Sequence, residues 1–388
     1  MMDYGRFLNN TISSVKPSGI RKFFDIVNEM EDVISLSVGE PDFRTPWHVR
    51  QAGIESLKSG KTWYTPNRGY KTLREEISAF LKRKYSLTYN PDTEILVTVG
   101  GSEALDVAIR CLANPEDEIL IHQPSFVCYE PLTAMAGAKA KIINTTAENS
   151  FRLKPQELEE AITENSKVLI LSYPNNPTGA IMEKEDLEAI AEVVKKHDLF
   201  VISDEIYSEL TYGQNHVSIA SLEGMAERTI IINGFSKAYA MTGWRLGYAT
   251  GPAPILEQMT KLHQYCIMSA PTTAQWAAIE ALRNGDSDIE EMRSDYEMRR
   301  RLVVGRFNEM GLTCFEPKGA FYCFPSIKST GLSSEEFCTR LLNAKGVAVV
   351  PGDAFGECGE GHVRVSYSYS LNHLKEALKR IEEFLKEL

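Results

Sequence analysis

Residues 168–207 have the sequence VLILSYPNNPTGAIMEKEDLEAIAEVVKKHDLFVISDEIY, and this stretch decides the fold. The apolar runs at residues 168–172 and 199–203 are typical of strands that are buried on both faces. Between them, residues 184–197 place four apolar side chains at the spacing of one helix face: Leu187, Ile190, Ala191 and Val194. Strand, helix and strand in this order predict a parallel βαβ unit.

Similar apolar runs extend this pattern in both directions along the chain. They occupy residues 95–99, 118–121, 140–144 and 229–233. The sequence therefore predicts an α/β fold with a mostly parallel sheet flanked by helices. Ligands of such sheets bind at the carboxyl ends of the strands, so the residues that follow each run are the candidates for a site.

The regions outside this alternation predict a second, smaller α/β domain. A helix is predicted near residues 20–30, and the chain beyond residue 285 is helix-rich, with strands at 347–350 and 362–366. One side of the last helix is apolar, formed by Leu374, Leu378, Ile381, Leu385 and Leu388. We predict two domains, a large one of residues 46–284 and a small one of residues 1–45 and 285–388.

Composition narrows the class of protein. The 388 residues are 43% hydrophobic, which suits a globular chain with a sizeable core. A formal net charge of −11 argues against a nucleic-acid partner. The seven cysteines are odd in number and form no CxxC pair, which favours a reduced, cytoplasmic setting. The polar N-terminus and the lack of a long apolar run predict neither a signal peptide nor a membrane span.

A glycine-rich turn follows the run at residues 95–99. It consists of Gly100, Gly101, Ser102 and Glu103 and leads into a helical pattern. Glycines allow the backbone to approach a ligand closely, and the free N–H groups of a helix start favour an anion such as phosphate. An ordinary turn is the alternative interpretation, and the spacing matches neither GxGxxG nor a Walker loop.

Polar residues also follow the next two runs. In the segment YPNNPTG at residues 173–179, Asn176 precedes a proline and is held extended, which presents its amide. Asp204 ends an apolar run, where a carboxylate is costly unless it is paired, and Tyr207 follows it. The alternatives are a structural turn for the first segment and a helix N-cap for Asp204.

A lysine lies among small and aromatic residues after the run at residues 229–233. Burial of Lys237 would lower its pKa and make the amine a usable nucleophile. Arg245 is a second cation nearby, suited to bidentate binding of a phosphate or carboxylate. A lone lysine is more often exposed, but a phosphorylated aldehyde with a basic ring nitrogen would use all of these groups together. The seven histidines show no metal-ligand spacing, and no GxSxG motif is present.

With these residues, the chain resembles the fold-type I pyridoxal-phosphate (PLP) dependent aminotransferases of class I, the group that contains aspartate and aromatic amino-acid aminotransferases. The stretches that carry the resemblance lie at residues 38–43, 173–179, 203–207, 234–247 and 362–366. The resemblance implies PLP as cofactor and ping-pong transfer of the amino group of an L-amino acid to a 2-oxo acid such as 2-oxoglutarate. The donor implied is aromatic, aspartate or of broad specificity.

The resemblance also implies roles for individual residues around the cofactor ring. Lys237 is similar to the Schiff-base lysine, and Asp204 to the carboxylate that keeps the pyridine nitrogen protonated. Tyr207 and Asn176 would hydrogen-bond the phenolic oxygen, and Phe126 would stack on the ring.

Further roles concern the cofactor phosphate and the substrate. The resemblance implies that the cofactor phosphate accepts hydrogen bonds from five residues of the chain: Gly101, Ser102, Glu103, Ser236 and Arg245. Tyr64 is similar to a residue that reaches the phosphate of the neighbouring subunit, which implies a homodimer. By the same resemblance, Arg364 would bind the substrate α-carboxylate, aided by Asn176 and the backbone of Gly39. As an edge-strand residue, Arg364 would otherwise be a solvated side chain.

Two other functions share much of this pattern. A carbon–sulfur β-lyase on the same scaffold would keep every cofactor contact. A PLP-sensing regulator would usually carry a basic DNA-binding module, and this acidic chain has no extra domain. The N-terminal segment at residues 18–24 is expected to cover the pocket with Ile20 or Phe23, which would favour apolar or aromatic substrates.

Overall fold

The computed structural model describes residues 2, 4–17 and 32–388. In chain order, the strands are β1 (Ile34–Ser35), β2 (Ile95–Thr98), β3 (Glu118–Gln123), β4 (Lys139–Asn144), β5 (Ser166–Ser172), β6 (Phe200–Asp204), β7 (Thr229–Gly234), β8 (Gly247–Thr250), β9 (Tyr322–Cys323), β10 (Val347–Ala348), β11 (Val350–Pro351) and β12 (Val363–Ser366). The helices are α1 (Asn10–Ser14), α2 (Trp47–Lys58), α3 (Lys71–Tyr85), α4 (Gly100–Leu112), α5 (Tyr129–Met135), α6 (Pro155–Ala161), α7 (Lys184–Lys196), α8 (Ala253–Cys266), α9 (Thr272–Asn284), α10 (Asp286–Glu309), α11 (Ser334–Lys345) and α12 (Leu371–Lys386). The helix predicted near residues 20–30 and the segment at residues 18–24 lie outside the described residues.

Strands β2 to β8 form a seven-stranded sheet in the order β2-β8-β7-β6-β5-β3-β4. The other six strands run in one direction, and β8 runs opposite to them. The predicted α/β fold with a mostly parallel sheet flanked by helices is confirmed. The register places Ser172 beside Asp204 and Asp204 beside Ile232, so the segments that follow β5, β6 and β7 meet at one edge of the sheet.

Each face of the sheet is covered by apolar side chains from the helices. Val168 and Ile170 of β5 belong to the core that includes α4, whereas Leu169 and Leu171 belong to the core that includes α7. Because strand residues alternate between faces, a strand covered on both sides must be apolar throughout. The predicted apolar face of α7 is confirmed, since all four of its residues are buried. A reciprocal capping box between Glu183 and Asp186 begins this helix.

The C-terminal elements form two smaller sheets. β12 lies between β11 and β9 in an antiparallel sheet, and β1 pairs with β10 in parallel. The single strand predicted at residues 347–350 is wrong, because the chain changes partner at Val349 and forms β10 and β11 in different sheets. The placement of Leu388 on the last helix is also wrong, because α12 ends at Lys386 and Leu388 is exposed. The predicted domain boundaries stay a prediction.

None of the helices in the described part of the chain combines the length and apolar character that a membrane crossing needs.

Candidate active site

A cavity of about 490 Å³ lies at the carboxyl edge of the seven-stranded sheet, beside β12. The sequence predicted most of the residues that line it: Gly39, Gly101, Ser102, Phe126, Asn176, Asp204, Tyr207, Ser236, Lys237, Arg245 and Arg364. These side chains come from segments more than 300 residues apart in the chain, and the fold brings them to one place.

Lys237 lies in the segment that follows β7 and is the central cation of the cavity. Its Nζ donates a hydrogen bond to the carbonyl oxygen of Gly39, at 2.6 Å. Burial lowers the pKa of Lys237 to about 8, and the nearby cations Arg364 and Arg245 add to the decrease. A larger fraction of this amine is therefore uncharged at neutral pH than for an ordinary lysine, and an uncharged amine is a nucleophile and a base.

Asp204 is the last residue of β6 and is almost completely buried. Its Oδ2 accepts a hydrogen bond from the Tyr129 hydroxyl at 2.7 Å, and its Oδ1 accepts one from the Ile206 N–H at 3.2 Å. Burial raises the pKa of Asp204 to about 6, although both hydrogen bonds oppose the increase. A buried carboxylate whose pKa is raised in this way is suited to a cationic ligand, which would restore its charge.

The first turn of α4 supplies free backbone N–H groups beside Arg245. The N-cap residue Val99 makes no side-chain hydrogen bond to this helix start, and Glu103 accepts only the Val99 N–H there. Gly100 has φ +76°, and a Cβ there would lie 2.7 Å from Nη2 of Arg245, so glycine is required for this close approach. Arg245 is exposed toward the cavity, with one Nη1 hydrogen bond to the Thr242 carbonyl at 3.1 Å. The N–H groups of a helix start and a guanidinium together are suited to an anion.

Arg364 lies in the central strand of its sheet, not in an edge strand, and is only 2% exposed. The alternative of a solvated side chain is therefore wrong. Nη1 donates to Oδ1 of Asn176 at 2.9 Å, and Nη2 donates to the carbonyl of Ser37. The guanidinium lies 4.7 Å from the ring centroid of Tyr322 and 4.8 Å from that of Phe355. Its Nε has no partner among the described residues. A buried cation without a counter-charge is costly, which favours an anionic ligand here.

Tyr207 and Tyr322 form the wall between Lys237 and Arg364. Their hydroxyl oxygens are 2.8 Å apart. Burial raises the pKa of Tyr207 well above its ordinary value, with Tyr322 as the next cause. Gly39 is also required, because a Cβ there would lie 2.3 Å from the Tyr322 hydroxyl oxygen.

Sequence reasoning missed Tyr129 and Tyr322. Tyr129 also lies 2.8 Å from Oγ of Ser172, which lines the cavity too. A weak signal existed for Tyr129, because it comes three residues after the predicted Phe126. Tyr322 had no local signal, since its position depends on pairing between β9 and β12.

Two predicted residues do not line this cavity. The Glu103 carboxylate turns away toward α8, where Oε1 lies 2.6 Å from Nδ1 of His263. Its Oε2 accepts a hydrogen bond from the Val99 N–H, at 2.5 Å. Tyr64 is 80% exposed on the surface. A phosphate contact from either residue stays a prediction, through the backbone for Glu103 and through a second subunit for Tyr64.

Comparison with known proteins identifies the family. A family model described as aminotransferase class I and II matches residues 31–381, and the chain belongs to this family. The putative aminotransferase YugH of Bacillus subtilis (strain 168) is 52% identical over 379 residues, covering 98% of both chains. The aspartate aminotransferase of Pyrococcus abyssi (strain GE5 / Orsay) is 48% identical over 383 residues, again covering 98% of both.

The solved structures agree with this assignment. The crystal structure of the aromatic aminotransferase from Pyrococcus horikoshii OT3 is 46% identical, with a TM-score of 0.90, covering 95% of this chain and 99% of that chain. The resemblance inferred from sequence is confirmed, and the chain is an aminotransferase with the fold-type I architecture. The comparisons give no support to the β-lyase or regulatory alternatives.

Proposed function

We propose that this aminotransferase uses PLP to transfer the amino group of an L-amino acid to a 2-oxo acid. The main support is the position of Lys237, an amine with a lowered pKa that lies in one cavity with the buried carboxylate of Asp204 and the buried guanidinium of Arg364. A base, a ring-nitrogen partner and a carboxylate clamp are the three protein groups that such a transfer requires.

The residues of the cavity fit PLP. The backbone N–H groups of the first turn of α4 and Arg245 suit the phosphate, with help from Ser102 and Ser236. Asp204 suits the ring nitrogen, because a buried carboxylate with a raised pKa gains from a cation. The remaining contacts would come from Tyr207 and Asn176 to the phenolic oxygen, Phe126 to the ring face, and Lys237 to the aldehyde. When bound, PLP supplies an electron sink for the bonds at the substrate Cα.

The chain's own groups would bind the substrate and move its proton. Arg364, with Asn176 and the backbone of Gly39, would hold the α-carboxylate and so fix which bond at Cα faces Lys237. The free amine of Lys237 would then remove the proton from Cα as general base. The negative charge of Asp204 would stabilise positive charge on the ring nitrogen while electrons accumulate there.

We propose aromatic L-amino acids as the preferred donors, with 2-oxoglutarate as an acceptor. Three cations line the cavity among the described residues, and the roles above use all of them: Lys237, Arg245 and Arg364. A side-chain carboxylate, on a donor or on 2-oxoglutarate, therefore meets no further cation in the described lining, whereas Ile206 and Tyr322 offer apolar surface to an aromatic side chain. The proposal of 2-oxoglutarate as acceptor rests on the family resemblance alone. The names of the relatives support both aspartate and aromatic donors.

The test is an amino-acid panel added to the purified PLP-loaded protein. We expect phenylalanine and tyrosine to change the absorbance of the bound cofactor, and 2-oxoglutarate to reverse the change. A response to aspartate alone would replace the aromatic proposal. Release of pyruvate and ammonia from cystathionine without an acceptor would contradict amino transfer and restore the lyase alternative.

We propose further that the enzyme is a cytoplasmic homodimer in which Tyr64 reaches the partner's phosphate site. The exposure of the aromatic side chains Trp63, Tyr64 and Tyr265 supports this, since Trp and Tyr are enriched at protein interfaces. Size-exclusion chromatography with light scattering is expected to give twice the mass of 43.5 kDa. A monomer with full activity would contradict the dimer.

A further inference from the structure

The first turn of α4 contains a carboxylate that faces away from the cavity. Glu103 is the acidic residue of that turn, and its side chain is 11% exposed. Oε1 lies 2.6 Å from Nδ1 of His263, and Oε2 accepts the hydrogen bond from the Val99 N–H. His263 comes from α8 and is completely buried. A carboxylate oxygen accepts hydrogen bonds, so this contact is a hydrogen bond when His263 carries a proton on Nδ1.

This arrangement is unusual at a helix start that is suited to an anion. A carboxylate in the first turn interacts favourably with the same helix dipole and N–H groups that would hold the phosphate. It would also repel a phosphate bound one turn away, since charge–charge interactions are strong at low dielectric. Glu103 avoids direct competition by capping only the Val99 N–H, which leaves the following N–H groups of the turn free.

We infer that His263 is a positioning residue for cofactor binding, which holds the Glu103 carboxylate away from the phosphate site and offsets its charge. This inference rests on the proposed use of PLP. His263 touches no residue of the cavity lining through its side-chain hydrogen bonds, because its Nδ1 is used by Glu103 and its Nε2 has no partner among the described residues. Its effect on the phosphate therefore passes through Glu103.

The experiment compares three variants with the wild-type full-length chain: His263→Phe, Glu103→Gln and the double variant. His197→Phe is the matched control, because His197 forms a His–Glu contact of 2.8 Å with Glu159 on the surface. Each PLP-free protein is titrated with PLP and with pyridoxal, which lacks the phosphate. Binding is followed by absorbance, so that the readout is affinity and not turnover. Thermal unfolding of the PLP-free proteins measures any loss of folding.

We expect His263→Phe, which keeps a ring but has no hydrogen-bond donor, to weaken PLP binding about tenfold or more, because the Glu103 carboxylate loses its partner beside the anion site. Pyridoxal binding should stay within about twofold of wild type, since it carries no phosphate to repel. The double variant, which has no carboxylate at residue 103, should recover most of the PLP affinity even if it unfolds at a lower temperature. The His197→Phe control should bind as the wild type does.

Three results would overturn the inference. These are unchanged PLP affinity in His263→Phe, an equal loss for PLP and pyridoxal, and a double variant as weak as His263→Phe. The first result would show that the His263–Glu103 pair does not affect the phosphate site. The other two would show that the pair has only a structural role in packing. Failure of the wild type to bind PLP is a different result, which would refute the proposed function itself.

Discussion

Replacing Lys237 by alanine is expected to lower the rate of amino transfer by about 10⁴-fold or more. The change removes the amine that would hold the cofactor and also the base that would take the proton from the substrate Cα. No second amine is available to replace it, because the other cations among the described lining residues are the guanidiniums of Arg245 and Arg364. Arginine remains protonated at neutral pH and is a poor base.

The measurement is single-turnover absorbance of the PLP-loaded variant with an excess of amino acid. Lys318→Ala is the control, because Lys318 is an exposed lysine paired with Glu183 at 2.8 Å. The control should keep wild-type rates. A Lys237→Ala protein that turns over within about tenfold of wild type would show that another group is the base.

The lowered pKa of Lys237 also predicts how the rate of PLP capture depends on pH. Its uncharged fraction increases as pH rises through about 8, well below the ordinary range for lysine. The rate at which the PLP-free wild type captures PLP covalently should therefore rise through this window and level off above it. A rate that still climbs near pH 10 would indicate an ordinary, solvated amine at residue 237.

The large sheet was predictable because burial on both faces forces continuous apolar runs. β8 was missed for a physical reason: Gly247–Thr250 is short, and its glycine is fixed by contacts far away in the chain. A Cβ at Gly247 would lie 2.6 Å from the backbone of Gly100 and Gly101. Such a requirement is a property of tertiary packing and leaves no periodic pattern in the sequence.

The site was predictable to the extent that it follows strand ends. Asn176, Asp204 and Lys237 each come after a parallel strand, and neighbouring parallel strands end at the same edge. Arg364 and Gly39 were found only through resemblance to the family, since their places depend on how the C-terminal sheet docks. Tyr322 illustrates the limit, because its contacts to Tyr207 and Gly39 join three distant segments.

The orientation of Glu103 also required the structure. Its place in a glycine-rich helix start predicted a role at the anion site, but a helix turn presents side chains to different sides. The partner that fixes its orientation, His263, is 160 residues away. Local sequence therefore located the turn correctly and left the direction of the carboxylate open.

Asp204→Asn is expected to lower the rate of amino transfer by about 10³-fold while making the PLP-free protein more stable at neutral pH. Asparagine has nearly the same shape and keeps polar contact with Tyr129 and Ile206, but it cannot balance a positive charge on the cofactor ring. The loss should appear in the rate of Cα proton removal, measured with an amino acid deuterated at Cα. Asp198→Asn, an exposed carboxylate paired with Arg228, is the control.

The expected gain in stability follows from the pKa of Asp204. Burial raises it from 3.8 to about 6, so between these values the folded chain binds more protons than the unfolded chain. Stability of the PLP-free wild type therefore falls as pH rises through that window, by about 3 kcal/mol above pH 6. The neutral asparagine avoids this cost, so the variant should be more stable by about that amount at pH 7, with no advantage near pH 3.

The stability difference is measured by denaturant unfolding of both PLP-free proteins at pH 7 and pH 4. Thermal unfolding with PLP present measures the effect of the cofactor. The bound ring cation should offset the cost in the wild type, so PLP is expected to stabilise the wild type more than the variant. Equal stabilisation of both proteins by PLP would mean that Asp204 does not face a positive charge. Burial of its charge would then destabilise the folded protein without assisting catalysis, and the ring nitrogen would need a different partner.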